Sequence, residues 1–371
     1  DIKVLQRIMG HSDISITMDV YNHVSDDRIQ NELEKLYPDR VEVIAMYNVA
    51  EGTEGNYLQQ LVDAGCSIIF STSYNYGVTT KEFAGRYPDI EFCMATCDNA
   101  NEEPYLKNYH TFMGAIYEGR YASGVAAGMK LKELIENGRI TVDDAKIGYV
   151  AAYPYAEVIS GYTAFLLGVR SVVPDAVMTV KYTYKWNDYL LEKKYAAELI
   201  DEGCVIISQH SDTAGPAIAC EETDAGTPVY LISYNQSMAD IAPTTYITGC
   251  KINWKPYVTG AVGAVLEGRN IEKTVRGKVN GNDIGAGFDE DWVEMLKLNE
   301  VIAADGTKEK LDEVIEKLKR GELYVFKGDY LGVNVDDPED IYDLSQGYEE
   351  NRDHSAPSFN YILKDVITIE E

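Results

Sequence analysis

Aromatic and polar side chains follow five predicted β-strands in this 371-residue sequence, at the point where each strand ends. In open parallel sheets, ligands bind beyond the carboxyl ends of the strands, so these side chains are candidates for one shared site. Aromatic rings stack on flat ligands, and amides and carboxylates exchange hydrogen bonds with them. The segments are Ser73-Tyr74-Asn75, Tyr153-Pro154, Lys185-Trp186-Asn187-Asp188, Gln209-His210-Ser211-Asp212-Thr213 and Ser233-Tyr234-Asn235-Gln236-Ser237.

Each of these residues also has a simpler structural explanation. A tyrosine or asparagine at a strand end is often a turn residue, and Trp186 could simply fill a core. Asp188 or Asp212 could cap the N-terminus of a helix. The same composition at all five strand ends favours a ligand site over five unrelated turns. The predicted ligand-binding residues are Tyr74, Asn75, Tyr153, Trp186, Asp188, Asp212 and Asn235.

Motifs of the common catalytic sites are absent from the sequence. It has no G-x-S-x-G, Walker, H-E-x-x-H or strand-following G-x-G-x-x-G pattern. His210 and Asp212 could exchange protons, but no activated nucleophile accompanies them. Of the six cysteines only Cys93 and Cys97 are close in sequence, and no second pair completes a zinc motif. We therefore expect a binding protein that is not an enzyme and uses neither a metal nor a cofactor.

The charge of the chain narrows the possible partners. Its formal net charge is −28, from 33 basic and 61 acidic residues, and such a surface repels nucleic acids and anionic membranes. No window approaches twenty consecutive apolar residues, and the first residues lack the pattern of a secretory signal peptide. We expect a small-molecule ligand and no nucleic-acid partner.

Short apolar runs alternate with helical stretches in two consecutive series. Such alternation predicts an α/β protein whose parallel sheets are flanked by helices, and two series predict two domains. The predicted strands cover 41–49, 67–73, 90–96 and 110–115 in the first series, and 146–153, 176–184, 204–210 and 228–235 in the second.

Long motifs in both series resemble the basic-membrane-protein (BMP) family of substrate-binding lipoproteins of ABC importers. The resemblance covers about 41–371, and its motifs include YEGRYASGVAAG (117–128), KIGYVAAYPYAEVISGYTAFLLGVRSVVPDA (146–176), WNDYLLEKKYAAELIDEGCVIISQHSD (186–212) and INWKPYVTGAVGAVLEG (252–268). It implies a two-lobed fold of periplasmic-binding-protein type I, with lobe 1 over 41–110 and 249–285. Lobe 2 would cover 111–248 and 286–371, including a C-terminal extension.

The resemblance also implies a function. Family members bind a purine nucleoside or nucleobase between the lobes, deliver it to an ABC permease, and sit on the extracellular face of the membrane through a lipid anchor that is absent from this chain. Nucleoside receptors hold the sugar with a lysine near the segment TGCKIN, where this sequence offers Lys251 or Ile252. Two ligands therefore remain possible, a free base or a nucleoside. The alternative function is a ligand-sensing module of a receptor or regulator.

The first forty residues resemble a different family. KVLQRIMGHSDISITMDVYNHV (3–24) is similar to the carboxyl end of tyrosine recombinases, with Gly10-His11 and Tyr21 at the motif positions. We expect no recombinase activity, because the upstream arginines that stabilise the phosphate are missing. Two structures are open for this atypical segment, 1–40. Residues 2–9 stay helical, as we favour, or they replace the first strand of lobe 1, with 26–36 as the following helix.

Overall fold

Two largely parallel β-sheets form the framework of the protein in a computed structural model, which describes the backbone of residues 7–9 and residues 29–47, 49–224 and 226–370. The first sheet has the strand order β1-β2-β3-β4-β11-β10. Its strands are β1 (Arg7–Met9), β2 (Ile68–Thr72), β3 (Glu91–Ala95), β4 (Tyr109–Gly114), β10 (Lys278–Asn280) and β11 (Asp283–Ala286).

The second sheet has the order β12-β9-β8-β7-β5-β6-β16. Its strands are β5 (Lys146–Ala151), β6 (Val177–Tyr182), β7 (Ile206–His210), β8 (Tyr230–Tyr234), β9 (Tyr246–Ile252), β12 (Val293–Met295) and β16 (Ile367–Glu370). A small antiparallel sheet near the C-terminus contains β13 (Leu331–Asn334), β14 (Ile341–Asp343) and β15 (Tyr361–Leu363).

Helices cover both faces of each large sheet. They are α1 (29–36), α2 (Glu54–Asp63), α3 (Gly77–Arg86), α4 (Ile116–Glu136), α5 (Ala156–Arg170), α6 (Tyr189–Asp201), α7 (Gly215–Glu221), α8 (Lys255–Leu266) and α9 (Thr307–Lys319). On the first sheet, α2 and α3 share one core and α1 and α8 the other. On the second sheet, α4 and α5 lie on one face and α6 and α7 on the other. Burial on both faces explains why the strands are continuous apolar runs.

Over the described residues, the chain passes between the two sheets three times: from β4 to α4, from β9 to α8, and from β11 to β12. The division into two lobes follows these crossings, and its boundaries remain a proposal. The two sheets shift the predicted boundaries by a few residues. Residues 111–114 complete β4 of the first sheet, and residues 249–252 complete β9 of the second.

The N-terminal segment differs from the helix that we favoured for residues 2–9. Arg7–Met9 form a strand parallel to β2, with Arg7 opposite Phe70, so the helical prediction is wrong at the described residues. This pairing gives hydrogen-bond partners to an edge of β2 that would otherwise stay open. The strand predicted over 41–49 is reduced to a single bridge at Met46 among its described residues.

Helices α4 and α5 approach each other through two glycines. A Cβ atom on Gly124 would lie 2.0 Å from the carbonyl oxygen of Phe165, and one on Gly168 would lie 2.1 Å from that of Tyr121. Only glycine allows the two backbones to come so close.

Over the described residues, no helix combines the length and apolarity that a membrane crossing requires.

We predict that Gly124→Ala lowers the free energy of unfolding by about 1–3 kcal/mol, because the new methyl group must push two helix backbones apart. Chemical denaturation measures this change. Gly85→Ala is the matched control, since Gly85 is also helical but exposed, with its nearest neighbouring atom 3.8 Å from the new Cβ. Equal stabilities of the two variants would show that the contact between α4 and α5 yields easily.

Candidate ligand-binding cleft

Four aromatic side chains from both sheets meet where the strands end, and we call them the aromatic cleft: Tyr74, Tyr153, Tyr155 and Trp186. Tyr74 follows β2 of the first sheet, and its ring centroid lies 6.2 Å from that of Tyr155, which follows β5 of the second sheet. Tyr155 stacks on Tyr153 at 5.0 Å with an interplanar angle of 9°. Tyr153 in turn lies 5.5 Å from Trp186. The strand ends of the two sheets therefore face each other.

Three polar side chains adjoin the cleft on the side of the second sheet, and we call them the polar group: Glu157, His210 and Asp212. His210, the last residue of β7, has its ring centroid 6.4 Å from that of Trp186. Its Nε2 lies 3.5 Å from Oε1 of Glu157 in the first turn of α5. The backbone N–H of Asp212 donates a hydrogen bond to the carbonyl oxygen of Trp186 at 2.8 Å, which holds Asp212 beside the indole residue.

Burial sets the charge of this polar group. It lowers the pKa of His210 to about 4, helped by the positive charge of Arg120, so the imidazole is neutral at pH 7. Burial also raises the pKa of Asp212 to about 7, and the neighbouring carboxyl of Glu157 adds to the rise. Near neutral pH the site therefore offers two carboxyl groups, one of which readily holds a proton. Such a pair can both accept and donate hydrogen bonds.

A buried arginine supports the polar group from behind. Arg120 on α4 has its guanidinium carbon 3.5 Å from the ring centroid of Tyr234, and its Nη1 donates to the carbonyl oxygen of Gln209 at 3.0 Å. A Cβ on Gly161 would lie 2.8 Å from Nδ1 of His210, so this glycine lets α5 lie against the imidazole. Through its contacts with Tyr234 and Gln209, Arg120 fixes the ends of β7 and β8.

Three predicted residues have other contacts. Nδ2 of Asn75 donates to Oε1 of Glu51 at 2.7 Å, at the first-sheet side of the cleft. Asp188 caps α6 by accepting from the N–H of Leu191 and also pairs with Nζ of Lys185 at 2.8 Å, which is the helix-cap alternative considered from the sequence. Asn235 is exposed, with a left-handed backbone (φ 60°) and its N–H donating to Cys250.

The structure thus brings Tyr74, Tyr153, Trp186 and Asp212 together and leaves Asp188 and Asn235 at the margin. Sequence reasoning missed Tyr155 and Glu157, although both lie within three residues after the predicted strand end at Tyr153-Pro154. Across the described residues, no three His, Cys, Asp or Glu side chains are grouped to hold a metal ion. All six cysteines are buried, as expected of small core residues.

Two α/β lobes whose strand ends face each other form the architecture of solute-binding proteins. The chain belongs to the Bmp family of PnrA-like ABC transporter substrate-binding proteins, which it matches over residues 12–323. The BMP resemblance is thereby confirmed, and so is the expectation that the protein is not an enzyme. The recombinase-like positions Gly10, His11 and Tyr21 lie outside the described residues, and that resemblance stays a prediction.

Two relatives and one solved structure illustrate the similarity. The purine-binding protein BAB2_0673 of Brucella abortus is 31% identical over 310 residues, which are 83% of this chain and 79% of the relative. A putative ABC transporter glucose-binding protein, TsgA13, of Haloferax volcanii is 32% identical over 220 residues, 59% of this chain and 51% of the relative. A solute-binding protein of an ABC transporter system from Aeropyrum pernix K1 has a TM-score of 0.67 at 16% identity, covering 87% of this chain and 92% of that one. This structure supports the two-lobed fold of periplasmic-binding-protein type I.

Proposed function

We propose that the protein binds a purine nucleobase or nucleoside in the aromatic cleft and delivers it to an ABC permease. The observation that carries the proposal is the position of Trp186, whose ring lies beside that of Tyr153 while its backbone holds Asp212. A purine needs a flat surface to stack on and polar partners at its edge, and both are present here. The purine-binding relative from Brucella abortus points to the same ligand class.

The polar group suits the edge of a purine better than that of an apolar ring. Glu157 and Asp212 offer acceptors for ring or exocyclic N–H groups, and a protonated Asp212 can donate to a ring nitrogen. Lys251, in the segment where nucleoside receptors hold the sugar, has its Nζ 2.9 Å from Oε2 of Glu294 on the adjoining strand β12. This engagement favours a free base over a nucleoside.

We infer the cellular setting from the same proposal. A substrate-binding component acts outside the cytoplasmic membrane, where it captures the solute before transport. In that setting the two lobes close on the ligand by a hinge motion about the three crossings. Lipid anchoring at the membrane surface belongs to this proposal.

A thermal-shift screen tests the ligand class. We predict that adenine, guanine or hypoxanthine raises the melting temperature, because a ligand at a hundredfold excess over its Kd stabilises the folded state by about 2.7 kcal/mol. The corresponding nucleosides should shift the melting temperature less if the free base is preferred.

Glucose is the informative competitor in this screen, since one relative carries a glucose-binding name. A shift with glucose and none with bases or nucleosides would contradict the purine proposal while leaving the family unchanged. Cytosine, a smaller base, serves as the control for nonspecific stacking on exposed rings.

A further inference from the structure

A second cavity of about 870 Å³ lies apart from the aromatic cleft and shares none of its four residues. Its walls come from β10 and β11 of the first sheet, the start of α4, the end of α9 and the C-terminal segments 323–327 and 346–355. β10 and β11 belong to the first sheet, whereas α4 and α9 pack on each other in the core of the second, so a ligand in this cavity would contact elements of both sheets. The volume falls in the range of small-molecule sites, about 300–1,000 Å³.

The inner part of the cavity carries a carboxyl group with spare hydrogen-bonding capacity. Oε2 of Glu118 accepts from the N–H of Phe288 at 2.9 Å. Gly287 makes this contact possible, since a Cβ there would lie 2.1 Å from the same oxygen. Within the described part of the chain, Oε1 of Glu118 has no hydrogen-bond partner. Burial raises the pKa of Glu118 to about 7, so a cationic ligand group would favour its ionised form.

The other inner carboxylates already have partners. Asp283 accepts from Oγ1 of Thr111 at 2.6 Å and from Oγ of Ser355 at 2.8 Å. Glu350 accepts from Oγ of Ser160 at 2.7 Å and from the N–H of Phe359 at 3.2 Å. These two acids hold the walls together, which leaves Glu118 as the inner group that can receive a ligand.

The outer part of the cavity is lined by exposed cations: Lys319, Arg320, Lys327 and Arg352. Among the residues that the structure describes, neither Lys319 nor Lys327 forms an ion pair, and Arg352 reaches only its neighbour Asp353 at 3.9 Å. Such a group of cations is conspicuous in a chain of net charge −28. It is suited to a carboxylate or phosphate, since lysine and arginine bind both.

We propose that this cavity binds a small zwitterion, with its ammonium group at Glu118 and its anionic group at Lys319 and Lys327. A ligand with only one of the two charges would satisfy one end of the cavity and leave the other end unchanged. Both contacts together give affinity and fix the orientation of the molecule. This site acts independently of the cleft, so it stands whether or not the cleft ligand is a purine.

Isothermal titration of the full chain with four probes tests the proposal. 6-Aminohexanoate carries both charges, hexanoate only the anion and hexylamine only the cation, while O-phosphoethanolamine offers phosphate in place of carboxylate. We expect at least one zwitterion to bind, with an affinity at least tenfold above that of hexanoate and of hexylamine. The stronger of the two zwitterions identifies the anionic group that Lys319 and Lys327 prefer.

Variants locate the binding. Glu118→Gln and the double variant Lys319→Ala/Lys327→Ala should each weaken zwitterion binding at least tenfold, whereas Trp186→Ala and Lys310→Ala should leave it unchanged. Lys319 and Lys327 are exposed, so their replacement keeps the test valid even if Glu118→Gln fails to fold. Failure of both zwitterions to bind, equal binding of hexanoate, or loss of binding in Trp186→Ala would overturn the proposal.

Discussion

Replacing Trp186 with alanine is expected to weaken purine binding about 5- to 150-fold, because stacking of a base on an aromatic ring contributes about 1–3 kcal/mol. Trp186 is the ring that joins the two parts of the site. It lies 5.5 Å from Tyr153 of the aromatic cleft and 6.4 Å from His210 of the polar group. Isothermal titration with adenine, guanine or hypoxanthine measures the loss.

Two controls separate stacking from damage to the fold. Trp186→Phe keeps an aromatic face and should retain most of the affinity. Tyr324→Ala removes a ring that is 72% exposed and lines the second cavity, so purine binding should not change. Melting temperatures show whether Trp186→Ala remains folded. A folded Trp186→Ala with wild-type affinity would mean that the base stacks elsewhere or not at all.

Much of the fold could be predicted because its strands are buried on both faces. β2, β5, β7 and β8 are short apolar runs bounded by helical stretches, and such runs stand out in a sequence without any knowledge of their neighbours. Their ends were therefore predictable too, and with them the positions of Tyr74, Tyr153 and Asp212.

Elements that depend on distant partners could not be predicted in the same way. VLQRIM suits a helix by composition, yet Arg7–Met9 form a strand because β2, some sixty residues away, offers an open edge. β16 at the C-terminus lies parallel to β6 in the second sheet, where Lys181 bonds Glu202 and Glu370. Local pattern contains no information on such pairings.

Two of the missed residues, Glu157 and Arg120, come from helices and not from strand ends. Glu157 lies in the first turn of α5 and Arg120 inside α4, positions where charged residues are usually solvated. Asp188 shows the opposite case, because its place after a strand is also the N-cap position of α6. Sequence alone cannot separate these two roles, since both select an aspartate.

Asp212→Asn is expected to stabilise the ligand-free protein at pH 8 relative to wild type. The pKa of Asp212 is about 7 in the folded protein and about 4 in an unfolded chain. When folding raises the pKa of a carboxyl, the folded protein loses stability as the pH rises from 4 through 7, because ionisation then favours the unfolded state. Asparagine has no such cost. The advantage of the variant should therefore grow by about 1–3 kcal/mol between pH 5 and pH 8 in chemical denaturation.

The same substitution should weaken purine binding about 10- to 150-fold, since the amide cannot offer two acceptor oxygens and a single charge-assisted hydrogen bond contributes about 1.5–3 kcal/mol. Asp188→Asn is the matched control: asparagine caps a helix as well as aspartate does, and the ion pair with Lys185 that it removes is solvent-exposed and contributes little, so both stability and affinity should stay nearly unchanged. A gain in stability together with a loss of affinity is the behaviour of a residue kept for its ligand. If Asp212→Asn instead destabilised the protein at pH 8 and bound purines normally, Asp212 would be a structural residue, and the polar edge of the site would rest on Glu157 alone.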